Sequence, residues 1–185
     1  MSKYFFDTEF VENGSQFPIE FISIGIVAED GRTYYAINLK MWAYRKTKKG
    51  FQQKYNLGED DWVWNNVMMS LEDDSSLYKQ PEQIAQEILG FVGEDKDPKF
   101  WAYYSAYDHV VLCQLFGKMV DLPEHFPMYT RDLKQMCDEL GNPDLPEQGE
   151  GEHNALADAQ WNVEAYDFLQ EMLKSKVEKL LGMRK

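Results

Sequence analysis

Apolar and polar positions are patterned in two periods along this chain, and the change from one to the other predicts its layout. Lys3 to Phe10 sets aromatics around two carboxylates and reads as a strand. Pro18 to Ala28 contains the run IEFISIGIV, rich in β-branched residues and bounded by turn signals, which predicts a buried strand. Glu29-Asp30-Gly31-Arg32 centres on Asp-Gly, a hairpin signal, and Thr33 to Leu39 alternates as the returning strand. These three strands predict an antiparallel meander. The period then becomes helical. Asp60 to Leu71 predicts a helix with Trp62, Val63 and Val67 on its apolar side, and Glu72 to Ser76 a loop. Pro81 suits a helix start, Ile84, Ile88, Phe91 and Val92 recur at helical spacing, and Gly93 closes that helix. Lys99 to Ser105, with FWAYYS, predicts a second buried strand, and Tyr107 to Phe116 a helix with Val111, Leu112 and Leu115 apolar. Thr130 to Leu140 predicts another helix, ended by Gly141-Asn142-Pro143. Residues 142–152 predict a mobile loop. A long helix then starts near Asn154 or Ala155 and runs to about Lys174, with Leu156, Ala159, Val163, Tyr166 and Leu173 apolar.

Strands first, then helices alternating with at least one more strand, predict an α/β domain with a mixed sheet. No internal repeat interrupts it, and 185 residues suit one domain, so residues 1–185 are expected to form a single unit. A hydrophobic share of 44% excludes a disordered chain. No apolar run is long enough to span a bilayer. Asp7 and Glu9 stand where a secretion signal needs its apolar core, so a cytoplasmic address is expected. Cys113 and Cys137 fall in helical, apolar stretches and are expected to be free thiols.

The formal net charge is −13, which taken alone argues against a phosphate-rich partner. One window reverses that argument. Residues 40–54, KMWAYRKTKKGFQQK, contain six basic residues and no acid, with Trp42, Tyr44 and Phe51 interleaved. Basic groups beside aromatic faces suit a single nucleic-acid strand, and Lys46, Lys48 and Lys49 are its candidate contacts; a solvated loop is the plainer alternative. Lysines at 174, 176, 179 and 185 form a weaker basic tail.

Three acidic signals carry the chemistry. Asp7 and Glu9 lie two apart on the first strand, so both carboxylates face one side. Close carboxylates repel, and a divalent cation bound by oxygen ligands, Mg²⁺ or Mn²⁺, relieves the repulsion. Asp108 follows the strand FWAYYS at a helix start. His153 precedes Asp158 by five, with the histidine in a glycine-rich loop and the aspartate one turn into the long helix. None of the three is specific alone, because acids are abundant in this chain. Their order and settings together are specific.

Strand Asp-x-Glu, strand-to-helix Asp and His-x4-Asp at a helix start resemble the DEDDh superfamily of 3′–5′ exonucleases, whose fold is RNase H-like. The segments YFFDTEFVENG, PIEFISIGIVAEDGRTYYAI, WAYYSAYDHVVL and HNALADAQWN are further similar to the polyadenylate-specific 3′-exoribonuclease AS group. The alternative DEDDy subtype would place tyrosine where Asn154 stands. Many superfamily members carry asparagine where this chain has Tyr104. The resemblance implies a 3′–5′ exoribonuclease that releases nucleoside 5′-monophosphates from single-stranded RNA, with preference for 3′ adenylate tracts, and a homodimer. It implies two Mg²⁺ or Mn²⁺ ions. Asp7, Glu9 and Asp158 would hold one, Asp7 would bridge to the other, and Asp108 would reach that second ion. His153 would take the proton from the attacking water, a task suited to an imidazole near neutral pH. Glu9 and the backbone near Thr8 are candidates to sense the terminal sugar, and Phe10 and Tyr104 to stack on the last base. A single-strand DNA exonuclease, a non-catalytic nucleic-acid-binding module and an acidic cation-binding protein are the competing readings.

Overall fold

The computed structural model describes residues 2–12, 14, 19–149 and 151–182. Strands β1 (Lys3–Val11), β2 (Glu20–Ala28) and β3 (Thr33–Asn38) form the expected antiparallel meander. Pro18, at the start of the predicted second strand, lies outside the described residues. The β2–β3 hairpin turns on Gly31, whose φ of +87° is the left-handed conformation glycine adopts without steric cost. Strands β4 (Tyr78–Lys79), β5 (Lys99–Ala102) and β6 (Arg131–Asp132) join in parallel with β3, β1 and β5 respectively. The sheet order is β4-β3-β2-β1-β5-β6. This mixed sheet, an antiparallel meander joined by parallel strands and flanked by helices, is the architecture expected above.

Helices cover both faces. Tyr4, Phe6, Ile24 and Ile26 pack under α3 (Pro81–Val92) and α4 (Ala106–Phe116), through Ile84, Ile88, Val111 and Leu112. On the other face Val11, Ile22 and Ile37 meet Met41 of α1 (Leu39–Trp42) and Phe51 of α2 (Lys48–Tyr55). A π-helical turn at Trp64–Met68 adds Trp64, Val67 and Met68 to that cluster. The long helix α6 (Ala155–Leu180) crosses β1 and β2 on the same face, and Tyr166 packs edge-on against Phe5. Cys113 and Cys137 are buried free thiols. Among the described residues, no helix is long and apolar enough to cross a membrane.

Several elements differ from the sequence pattern for definite reasons. The basic window is not all loop: α1 and α2 overlap its two ends, and Met41 and Phe51 anchor them in the core, completely buried. The helix predicted over Asp60 to Leu71 shortens to residues 62–68, of which Trp64–Met68 form the π-helical turn, with Trp62 half-exposed outside the core. The strand predicted to Ser105 ends at Ala102, where Tyr104 takes a φ of +56° and turns the chain into α4. The helix predicted from Thr130 starts at Leu133 (α5, Leu133–Glu139), since Arg131 and Asp132 pair with β5 and Asp132 caps the helix. Helix α6 continues to Leu180. Its fully buried stripe is Ala155, Asp158, Ala159, Asn162, Ala165 and Leu169, whereas Leu173 is exposed.

Candidate active site

The site lies where β1 and β5 part. These parallel strands pair only from Lys3↔Lys99 to Phe5↔Trp101. Crevices at the carboxyl ends of parallel strands are the usual ligand sites of open α/β sheets. Beyond Phe5, side chains from two helices replace the missing ladder. Asn162 Nδ2 donates to the Phe6 carbonyl at 3.1 Å, and the Thr8 amide donates to Asp108 Oδ1 at 2.9 Å. The Thr8 hydroxyl donates to the same oxygen at 2.7 Å. Asp108, in the first turn of α4, is thereby fixed beside β1 although only 5% exposed.

Asp7 and Glu9 project from β1 on the face that α6 covers, while Gly25 of β2 pairs with Asp7. A Cβ on Gly25 would stand 2.3 Å from the Ala155 carbonyl oxygen. The absent side chain lets the start of α6 rest directly on the sheet, which brings Asp158 to the carboxylates of β1. Asn154 caps this helix by accepting from the Leu156 and Ala157 amides, as its polar start suggests.

His153 immediately precedes the cap with a φ of +70°. Its amide donates to Asp158 Oδ2 at 3.1 Å, so the helix carboxylate also anchors the histidine backbone. Glu9, His153 and Asp158 each offer a ligand atom, all within 4.8 Å of one another. A cleft of about 440 Å³ is lined by Asp7, His153, Asp158 and Asn162 together with Tyr103, Tyr104, Gln148, Glu152 and Trp161. Trp161 Nε1 donates to the Pro146 carbonyl at 2.9 Å and holds the loop before His153 against α6. From that loop the Gln148 amide donates to Asp158 Oδ1.

Electrostatics set the four carboxylates apart from the acidic surface. Burial raises Asp7 well above the usual carboxylate range, and the charges of Asp108, Glu9 and Asp158 raise it further. Glu9 is pushed up to about 8, first by burial and then by Asp158 and Asp108. Burial raises Asp108 to about 6 against the opposing Thr8 hydrogen bonds. Asp158 also rises to about 6 through burial, opposed by the His153 amide, the His153 side chain and Gln148. Among the described residues lining the cleft, none is lysine or arginine. A buried group of oxygen donors with no protein cation fits a hard divalent ion, which would let all four ionise.

Asp7, Glu9, Asp108, His153 and Asp158, singled out in the sequence, meet at this one place. Phe10 stacks on Tyr107, with ring centres 5.5 Å apart and planes 17° apart. Tyr104 is 63% exposed at the cleft. Both Thr8 donors are engaged by Asp108, so its visible part is to hold that carboxylate. Lys46 and Lys49 are exposed around α2, and Lys48 donates to Asn65 at 3.1 Å. Asn162, Gln148, Trp161 and Gly25 were not legible as site residues. Asn162 had a signal, standing one helical turn beyond Asp158; the others had none.

The family model of the Rv2179c-like 3′–5′ exoribonuclease domain matches residues 2–170. The 3′–5′ exoribonuclease Rv2179c of Mycobacterium tuberculosis strain H37Rv is 40% identical over 161 residues, covering 85% of this chain and 86% of the relative. The 3′–5′ exoribonuclease MT2234.1 of strain CDC 1551 matches with the same values. The Mg²⁺- and Mn²⁺-bound form of S. pombe Pop2p is a similar solved structure, with TM-score 0.47 and 14% identity over 91% of this chain and 81% of that one. The chain belongs to the Rv2179c-like 3′–5′ exoribonuclease domain family.

Proposed function

We propose that residues 1–185 act as one metal-dependent 3′–5′ exoribonuclease that releases nucleoside 5′-monophosphates from single-stranded RNA. The observation that carries this reading is the convergence of Glu9, His153 and Asp158 within one group, beside Asp7 and Asp108, in a chain of an exoribonuclease family.

Asp7, Glu9 and Asp158 would hold one divalent ion, and Asp7 and Asp108 would hold a second. Two Mg²⁺ or Mn²⁺ ions, when bound, supply the positive charge that steadies the attacking and leaving oxygens of an in-line displacement. His153 accepts a proton from the attacking water as its oxygen adds to phosphorus. The bond from phosphorus to the upstream 3′ oxygen breaks, and that oxygen leaves with a proton from solvent. Glu9 and the Thr8 backbone border the terminal sugar, and a contact to its 2′-hydroxyl would select RNA. Phe10 and Tyr104 offer faces to the last base, and Lys46, Lys48 and Lys49 follow the upstream backbone. Adenylate preference and a homodimer rest on the family resemblance alone.

A 3′-end ladder assay tests the reading with poly(A), poly(U) and single-stranded DNA, each with Mg²⁺, Mn²⁺ or chelator. Ladders on RNA that vanish with chelator are expected, fastest on poly(A). Cleavage in chelator would contradict the metal requirement. Equal rates on poly(A) and poly(U) would remove the base preference, and equal rates on DNA would remove the RNA preference.

A further inference from the structure

His153 is poorly held by its own part of the chain. It lies beyond a coil of residues 142–149 and adopts a φ of +70°, a conformation that strains a non-glycine backbone. Its amide is tied to Asp158 and the Glu152 carboxylate lies 3.9 Å from its Nε2, but neither contact fixes the carbonyl or the plane of the ring. Both are taken by a distant segment. The Ser70 hydroxyl donates to the His153 carbonyl at 2.8 Å, across 83 residues of sequence. The Trp62 ring meets the imidazole edge to face, with centres 4.5 Å apart and planes 74° apart.

These two residues bracket the π-helical turn, and that turn is rigidly seated. Trp64, Val67 and Met68 are buried in the core, and Asp61 accepts from the Trp64 amide at 2.8 Å. The Val67 carbonyl lies at the same 2.8 Å from the Ser70 hydroxyl, so the two carbonyls share its single proton. Trp62, by contrast, is 53% exposed, although its spacing suggested a core position. A large indole left outside the core and placed against a histidine calls for a role other than packing. Interruptions of this π-helical kind are frequent at functional sites.

We propose that Trp62 and Ser70 are positioning residues for His153, so that the 62–70 segment sets the imidazole over the cleft. Trp62 fixes the plane of the ring, and Ser70 holds the strained backbone. Neither touches the reacting atoms. This rests on His153 acting as the proton acceptor, and the test separates the two ideas.

The full chain is compared with His153→Gln, Trp62→Ala, Trp62→Phe and Ser70→Ala, on RNA and by Mn²⁺ binding followed through electron paramagnetic resonance. Wild-type kcat in His153→Gln would overturn the underlying reading, whatever Trp62 does. With that activity lost, Trp62→Ala is expected to lower kcat about 10- to 100-fold, since misplacing a catalytic group by about an ångström costs that much. KM and Mn²⁺ affinity stay unchanged, and Trp62→Phe restores most of kcat. In NMR spectra without metal, the His153 ring protons shift in Trp62→Ala as the ring current disappears. Ser70→Ala alone also lowers kcat, and the double variant loses less than the product of the single losses, because both act on one placement. Unchanged kcat in both Trp62→Ala and Ser70→Ala would overturn the proposal. So would a raised KM with kcat retained in Trp62→Ala, which would make the indole a base-stacking surface instead.

Discussion

Gly25 lies so close beneath Ala155 that a Cβ would stand 2.3 Å from its carbonyl oxygen and 2.4 Å from the Leu156 Cα. Those contacts are backbone, which cannot swing aside as a flexible side chain would. Gly25→Ala therefore has to lift the start of α6 from the sheet. We expect a loss of about 1–3 kcal/mol or more in denaturant unfolding, the cost of overpacking. We also expect weaker Mn²⁺ binding, because Asp158 moves with the helix. Unchanged stability would show that the helix start is not seated as described.

The buried carboxylates predict an unusual pH dependence. Glu9 is raised to about 8, Asp108 and Asp158 to about 6, and Asp7 well above its ordinary value. An unfolded chain releases these protons near pH 4, whereas the metal-free fold retains them, so the folded state binds more protons. This contribution to stability is present below about pH 4 and is lost as pH rises through 6 to 8. Thermal unfolding in chelator should therefore show Tm falling between pH 5 and pH 8.5. Saturating Mn²⁺ should raise Tm more at pH 8.5 than at pH 5, because binding displaces protons at the lower pH. Glu9→Gln should flatten the chelator profile.

Asp108 owes its remaining acidity to Thr8, whose amide and hydroxyl both reach one carboxylate oxygen. Thr8→Val keeps the shape and removes the hydroxyl donor. A hydrogen bond to a charged group contributes about 1.5–3 kcal/mol, so urea unfolding at pH 8 should show a loss in that range. At pH 5, below the raised titration of Asp108, the loss should be smaller. Equal losses at both pH values would show that the hydroxyl does not act on the charged form.

The basic surface around α2 gives a prediction about salt. The chain carries −13 overall, so attraction for RNA has to be local. Replacing Lys46 and Lys49 together by alanine should raise KM for RNA and leave kcat unchanged. Removing a phosphate contact from a single strand reduces the slope of log affinity against log salt by about 0.7. A full salt slope in the double variant would place the RNA elsewhere.

The meander, the Asp-Gly hairpin and the long C-terminal helix were legible because apolar runs, turn chemistry and helical spacing are local. So were Asp7, Glu9, Asp108, His153 and Asp158, whose order along the chain encodes their meeting. Strands β4 and β6 were not legible: two residues carry no period, and they exist only by pairing with β3 and β5. Phe51 looked like an aromatic interleaved with lysines, and only the tertiary core shows that it is buried. Trp62 erred the other way, since its helical spacing said nothing of the π-helical turn beside it or of His153. Gly25 gave no sign of its role, because what it admits is a helix start 130 residues later.

The central claim is that the carboxylate cluster degrades RNA from its 3′ end. It is tested most directly with 5′-labelled RNA, bearing either a free or a blocked 3′-hydroxyl, incubated in Mn²⁺ with wild type and with Asp7→Asn. Stepwise shortening of only the free-ended RNA by wild type, and none by Asp7→Asn, is the predicted result. An undiminished ladder from Asp7→Asn, or cleavage of the blocked RNA at internal positions, would contradict the account.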